Sequence, residues 1–402
     1  MWAAALHIRE KYQTETYYVF VECVSDSYLR ACPVHWAGAF GRWPGGLESD
    51  QPQTIEETPI RTHSISCAAF AVLAAGAAQA QSQVIVDGFI DVGLGQVRNA
   101  SGDQSNTVSE MRNNGNRGTQ VRFRGTEDLG SGWQAGFWFE HGFNPQDGSI
   151  WTGPARFWQR EATLRLKSPM GELRMGRAIL PTFQNVWRHE PTGNTGVAQN
   201  FKLASTLGSN AQTLFRADNL VQYFLPNLSG LTGSLAWATD NQAPGNAYRG
   251  IRLAYGQPKW DVGVEHGITR TGDATPDYVM STVGASYRFD AFTLMGYVAL
   301  PKYGAKSQQL SQLGVSVPLT NGRIWGLVGR SRQSGGGTDG DNATNFGVGY
   351  EHNLSKRTLA YVSASRIHNE GKAAFRTPGS TNTASALGGS SSAYEIGLRI
   401  AF

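Results

Sequence analysis

The sequence predicts an all-β chain that closes into a transmembrane antiparallel β-barrel of about 16 strands. Three observations predict it. Apolar and polar residues alternate with period two along residues 81–402, the spacing of strands rather than helices. Tight turns rich in Pro, Asn, Gly and Ser alternate with long polar loops, so that one end of the molecule has short connections and the other long ones. The final strand runs to the last residue, Phe402, and aromatic residues gather at strand ends, as they do at a membrane interface.

Composition removes the main competitors. Among the 402 residues no window offers 18 uninterrupted apolar positions, which excludes a helical membrane protein. The 49 glycines, with Thr, Ser and Asn, exclude a coiled coil. The 18 Phe, 14 Tyr and 11 Trp argue against disorder.

Along the chain, residues 1–60 come first and show no alternation. Residues 61–83 read RTHSISCAAFAVLAAGAAQAQSQ: Arg61 and His63 form a positive start, Ile65 to Gly76 an apolar stretch, and Ala78, Gln79 and Ala80 a cleavage site. The sequence therefore predicts a signal peptide over 61–80, cut between Ala80 and Gln81. Segment 1–60 is then either the product of a mis-assigned start codon, with translation beginning near Arg61, or an unusually long pre-region. The mature part, 81–402, has no cysteine, because Cys23, Cys32 and Cys67 all precede Gln81. Rigidity has to come from something other than disulfides. Seven lysines and 23 arginines against 23 carboxylates leave this part at +7.

Strands are expected near 84–93, 117–126, 133–143, 155–167, 171–178, 214–225, 231–240, 248–256, 259–269, 278–289, 292–300, 308–318, 323–332, 343–353, 357–367 and 393–402. Most are about the 9–11 residues that a tilted strand needs to cross a bilayer. The last shows the pattern best, with Tyr394, Ile396, Leu398, Ile400 and Phe402 on one parity. Tight turns stand at 168–171 (SPMG), 226–230 (PNLSG), 257–259 (QPK) and 353–356 (NLSK). Long polar loops are expected at 98–116, 144–154, 179–213, 270–277, 333–342 and 368–392. A soluble sandwich or solenoid would alternate too, but would need neither a strand ending on the last residue nor the aromatic clusters at Trp133, Phe137, Phe139 and Phe143 and at Tyr287, Phe289 and Phe292.

These residues resemble a family, the trimeric general porins of Gram-negative bacteria, and in particular its β-proteobacterial branch. VDGFIDVGL (86–94) looks like that family's first strand. TQVRFRGTEDLG (119–130) and GWQAGFWFEHGF (132–143) resemble the next two, and QREATL (159–164) with SPMGELRMGR (168–177) the following hairpin. RADNLVQY (216–223) is similar to the strand after the family's constriction loop, and Phe402 to its assembly signal. The resemblance implies an outer-membrane diffusion channel for small hydrophilic solutes and ions, assembled as a homotrimer among outer-membrane lipid and lipopolysaccharide, with no cofactor. Gly88, Gly93 and Gly95 would give early strands a flat face for the trimer contact.

The resemblance also implies an inward-folded constriction loop, here about 179–213, carrying Arg188, Glu190 and Lys202. The wall facing it would carry Arg124, Arg160 and Arg216 by motif, with Arg122 standing in for the arginine that the family often has at the Gln120 position. Arg174 and Arg177 are added by proximity in sequence. Two departures stand out: Arg122 and Arg165 occupy usual glycine positions, and the acidic cluster of the loop is thin. Crowded lysines could lose protons, whereas arginine stays charged. Fixed charges in a narrow low-dielectric channel focus their field, and rings of arginine favour anions. An anion-preferring pore is expected. Strand parity sets Arg160 on the face of Ala162 and Leu164, so a bulge or the trimer contact has to resolve its direction.

Other chemistries find little support. Glu127 and Asp128 sit in a turn, the histidines lack zinc-ligand spacing, and no nucleophile-elbow, metalloprotease or phosphate-loop motif occurs, so neither an enzyme nor a metal site is expected. Ser365 and His368 stand on opposite parities, which disfavours a hydrolase. The basic residues are dispersed, which disfavours nucleic acid. A substrate-specific channel and a plugged barrel acting as an adhesin or scaffold survive as alternatives.

Overall fold

A computed structural model describes residues 83–101, 104–151, 156–240, 245–378 and 387–402. The expected leader, 61–80, and segment 1–60 lie outside the described residues. The strands are β1 (Gln83–Ser101), β2 (Gln104–Asn113), β3 (Gln120–Gly130), β4 (Trp133–Gly142), β5 (Glu161–Ser168) and β6 (Gly171–Ile179). After the long loop come β7 (Arg216–Phe224), β8 (Leu231–Ala238), β9 (Tyr248–Gly256), β10 (Trp260–Thr269), β11 (Tyr278–Arg288) and β12 (Thr293–Tyr303). The set ends with β13 (Lys306–Leu319), β14 (Gly322–Ser334), β15 (Ala343–Asn353), β16 (Thr358–Asn369) and β17 (Ser390–Ala401).

Neighbours in sequence pair antiparallel from β3 round to β17, and β17 pairs with β1 in register Phe89↔Ala401 to Ala100↔Ser390. The ring is thereby closed, so no edge is exposed to lipid. Phe402 completes the seam by exchanging backbone hydrogen bonds with Gly88, both 3.2 Å. The other edge of β1 is shared: residues 92–101 pair with β2 and 83–89 with β3. Seventeen segments thus make sixteen staves, with β2 and β3 following each other along one stave and broken at 114–119.

That arrangement corrects the expected loop at 98–116, most of which is hairpin. The segment QSNTVSEMRN of β2 is polar on both faces, so backbone pairing holds it and leaves no apolar rhythm to read.

The outward parity is apolar along the staves. Leu164, Leu235, Val283, Leu313, Val348 and Ile396 are each about half exposed, the surface expected of a lipid-facing belt. Aromatic pairs border it at the short-turn end, with Tyr255 and Trp260 centroids 5.6 Å apart and Tyr287 and Phe289 4.6 Å apart. Gly88 belongs to this outward parity. Gly93 and Gly95 do not: they lie beneath the Tyr361 hydroxyl and the Arg112 side chain inside the barrel, and make room for those groups rather than for a neighbouring subunit. The chief apolar cluster is no central core. It is the seam where Phe183, Val186, Phe201 and Leu203 of the long loop press on Tyr278, Tyr297, Leu310 and Ile367 of the barrel wall.

Candidate functional site

Between β6 and β7 the chain turns into the barrel. A short helix, α1 (Pro181–Arg188), starts there with proline at its first turn, where a missing N–H costs nothing. Its buried face docks on β8 to β12. Asn185 fixes it: its backbone N–H donates to Glu265 Oε1 at 2.7 Å, and Nδ2 donates to the Gly263 carbonyl at 2.8 Å. Asp261 accepts from Arg188 Nε at 2.8 Å and from His189 Nε2 at 2.7 Å. Further on, the Asn345 amide donates to the Ala198 carbonyl at 3.0 Å, and the Val197 N–H to Glu395 Oε1 at 2.9 Å. The loop is therefore moored to the wall from β8 round to β17, which leaves open the side lined by β2 to β7.

Glu190 and Lys202 belong to that mooring. Glu190 is buried and accepts from Thr192 Oγ1 and the Asn200 N–H, both 2.7 Å. Lys202 Nζ donates to the Val197 carbonyl and to Ser365 Oγ. Burial pushes the Glu190 carboxyl up to about 7 and the Lys202 amine down to about 7, with attraction between the two opposing both shifts. Of the three loop residues expected at the constriction, only Arg188 reaches the open space. Sequence pattern cannot reveal this, because the direction of a loop side chain depends on how the loop is moored.

The open space is a cavity of about 1720 Å³. Its surface carries eleven arginines and four carboxylates among the described residues. Arg122, Arg160 and Arg216, expected from the resemblance, and Arg174 and Arg177, added by proximity in sequence, are on it together with Arg188. Arg124 is not: it shares Asp87 with Arg122, its Nη2 lying 2.6 Å from Oδ2, and stands off the cavity. Five arginines are additional: Arg112, Arg117, Arg156, Arg165 and Arg252. Arg165 could have been found by extending the departure noted at its glycine position. Arg117 could not, because the expected strand 117–126 gives it outward parity, whereas β3 begins only at Gln120.

Two local irregularities decide the directions. Arg160 precedes β5 at a bend, so the parity of Ala162 and Leu164 does not bind it, and its guanidinium turns inward onto Glu140. In β6 and β7 a bulge sets Asp218 and Asn219 opposite Arg177 alone, with Gly176 at φ +133° and Asn219 at φ +51°. On β6 the turn of the backbone at Gly176 interrupts the alternation between the two arginines, so Arg174 and Arg177 both line the cavity although their parities differ.

Charge pairing determines what remains. Nine of the eleven arginines have a carboxylate partner, and Asp218 serves two, Arg156 at 2.6 Å and Arg177 at 2.7 Å. Asp87, Glu172, Asp218, Glu265 and Glu395 stand behind their arginines, off the cavity surface. Arg117 and Arg216 have no carboxylate partner among the described residues. Arg117 lies over Phe89 and Trp187, 5.3 and 5.9 Å from the ring centroids, and Arg216 Nε donates to the Arg160 carbonyl at 2.6 Å. Guanidinium groups held forward of their counter-charges give the cavity a positive inner surface.

Comparison with known proteins agrees with this geometry. The sequence model of the Gram-negative porin family matches residues 66–372. Outer membrane porin protein 32 of Delftia acidovorans is 30% identical over 363 residues, covering 84% of this chain and 99% of that protein. An outer membrane porin of Bordetella pertussis is 29% identical over 363 residues, covering 73% of this chain and 91% of that protein. Among solved structures, the anion-selective porin from Comamonas acidovorans superposes with a TM-score of 0.72 at 27% identity, over 80% of this chain and all of that one. OmpT of Vibrio cholerae, 10% identical with a TM-score of 0.59 over 81% of this chain and all of that one, shares the fold. These relatives are channels rather than enzymes. Matched by the family over most of its length, and spanning nearly the whole of a porin from Delftia, the chain belongs to the Gram-negative porin family and lies in the outer membrane.

Proposed function

We propose that this outer-membrane diffusion channel passes small hydrophilic solutes with a preference for anions, and that the arginines of the β2–β7 wall set the preference. The observation that carries this is the excess of arginines over carboxylates on the cavity surface, eleven to four. Paired arginines contribute a weakened field, while Arg117 and Arg216, in no direct ion pair among the described residues, contribute a stronger one. Rings of fixed cations favour anions in a narrow pore. The similar protein from Comamonas is described as anion-selective, which points the same way. An open cavity favours a conducting channel over a plugged barrel.

Reversal potentials in a potassium chloride gradient across planar bilayers test the reading. The potential should lie toward chloride; a potential toward potassium overturns it. Two further readings belong with it. The channel works as a homotrimer, which native electrophoresis and crosslinking would report. Residues 61–80 direct export and are removed, so that mass spectrometry of protein extracted from outer membranes should find Gln81 first, with segment 1–60 missing.

A further inference from the structure

We infer that the constriction contains a binding subsite for planar aromatic carboxylates, a solute class narrower than anions in general. The inference rests on the anion preference proposed above and adds a second, apolar requirement to it.

The observation behind it is an oddity of the lumen. Barrel interiors that carry water are polar, and an apolar ring on a wet surface gains nothing from burial. Yet Trp187, 42% exposed, and Phe215, 37% exposed, both line the cavity. They are held there by neighbours. Phe183, one helical turn before Trp187, packs edge-on against Phe215 with centroids 4.8 Å apart. The Arg117 guanidinium covers part of the Trp187 ring at 5.9 Å and leaves the remainder open.

These residues form a continuous circuit. Arg117 meets Trp187, Trp187 follows Phe183 on α1, and Phe183 touches Phe215. Phe215 is the chain neighbour of Arg216, and Arg216 donates to the Arg160 carbonyl. The Arg160 side chain in turn lies against Gly118, beside Arg117: a Cβ there would stand 3.0 Å from its Nη1. One arc is thus cationic and the adjoining arc aromatic. On the cationic arc, Arg117 and Arg216 lack a carboxylate partner among the described residues, so their forked donors are available to a bidentate acceptor. A carboxylate on a flat ring satisfies both arcs at once. An inorganic anion satisfies only the first.

The test uses the full protein in planar bilayers carrying chloride current, with benzoate and cyclohexanecarboxylate as probes. Both are singly charged at neutral pH and similar in size, but only benzoate is flat and aromatic. Benzoate should reduce the current saturably, at concentrations roughly threefold to tenfold lower than cyclohexanecarboxylate, the advantage expected of one aromatic stacking contact. The double variant Trp187→Leu, Phe215→Leu should close that gap, while Arg117→Gln should weaken both probes alike. Equal block by the two probes on the wild-type channel overturns the subsite, and that comparison does not depend on any variant folding. A gap that persists in the double variant overturns it too. A channel that keeps its chloride preference but shows equal block loses only the subsite. A cation-preferring channel loses the reading beneath it.

Discussion

The Nε of Arg112 lies 3.0 Å from Oε2 of Glu395, both side chains almost fully buried, across the seam where the first hairpin meets the last strand. Glu395 Oε1 is also occupied, accepting the Val197 N–H at 2.9 Å and the Ser363 hydroxyl at 2.8 Å. One carboxylate thereby ties the barrel closure to the inward loop. Glu395→Ala would leave the buried Nε of Arg112 and the buried Val197 N–H without acceptors, while Glu110 still pairs with Arg112 Nη1, a loss of about 1–3 kcal/mol. The expected outcome is a lower unfolding temperature in detergent and noisier single-channel current. The double variant Arg112→Ala, Glu395→Ala should cost less than the two single changes added together; strict additivity would refute the coupling.

Burial separates the roles of two cations. Arg117→Gln removes an unpaired charge from the cavity surface and should lower the anion-to-cation permeability ratio by roughly two- to fivefold, the weight of about one contact charge in a wet site. Lys202→Met removes a charge that is off the cavity surface and turned onto the Val197 carbonyl and Ser365, and should leave the ratio nearly unchanged. Reversal potentials measured for both variants check this. Equal shifts would mean that the field is set by total charge rather than by placement.

Glu190 supplies a pH dependence. Its value in the folded protein stands above the ordinary 4.5, at about 7, because burial disfavours the charged form. The native state then holds a proton that the unfolded chain has released, so stability falls as pH rises from about 4.5 to about 7. Lys202, lowered from 10.5 to about 7, acts in the opposite sense, and its contribution grows between those values. Melting temperatures for Glu190→Gln should lose the decline below pH 7 and keep the rise above it. An unchanged profile would remove Glu190 from the account.

The β6–β7 bulge depends on Gly176, whose φ of +133° disfavours any side chain and whose missing Cβ faces the Ala162 carbonyl. Gly176→Ala should cost about 1–3 kcal/mol and misdirect Arg177. Folded yield should fall, and the chloride preference of the channels that do assemble should weaken. Wild-type selectivity in this variant would show that the direction of Arg177 does not matter.

The sequence by itself determined the staves. All sixteen expected strands are present, because a wall with lipid on one side and water on the other imposes period two on every crossing, and that rhythm is local. It also determined the turns, and the arginine-rich character of early strands. What only the tertiary structure decided was direction. A bend turned Arg160 inward against its strand parity, a bulge gave Arg174 and Arg177 a common face, and a strand that starts three residues late brought Arg117 into the lumen. Glu190, buried, and Lys202, half-buried, both expected on the constriction loop, moor that loop to the wall. Each outcome depends on contacts between segments far apart in the chain, where one extra residue or one buried hydrogen bond reverses the side a group faces. The alternation that reveals a barrel has no information about where it is interrupted.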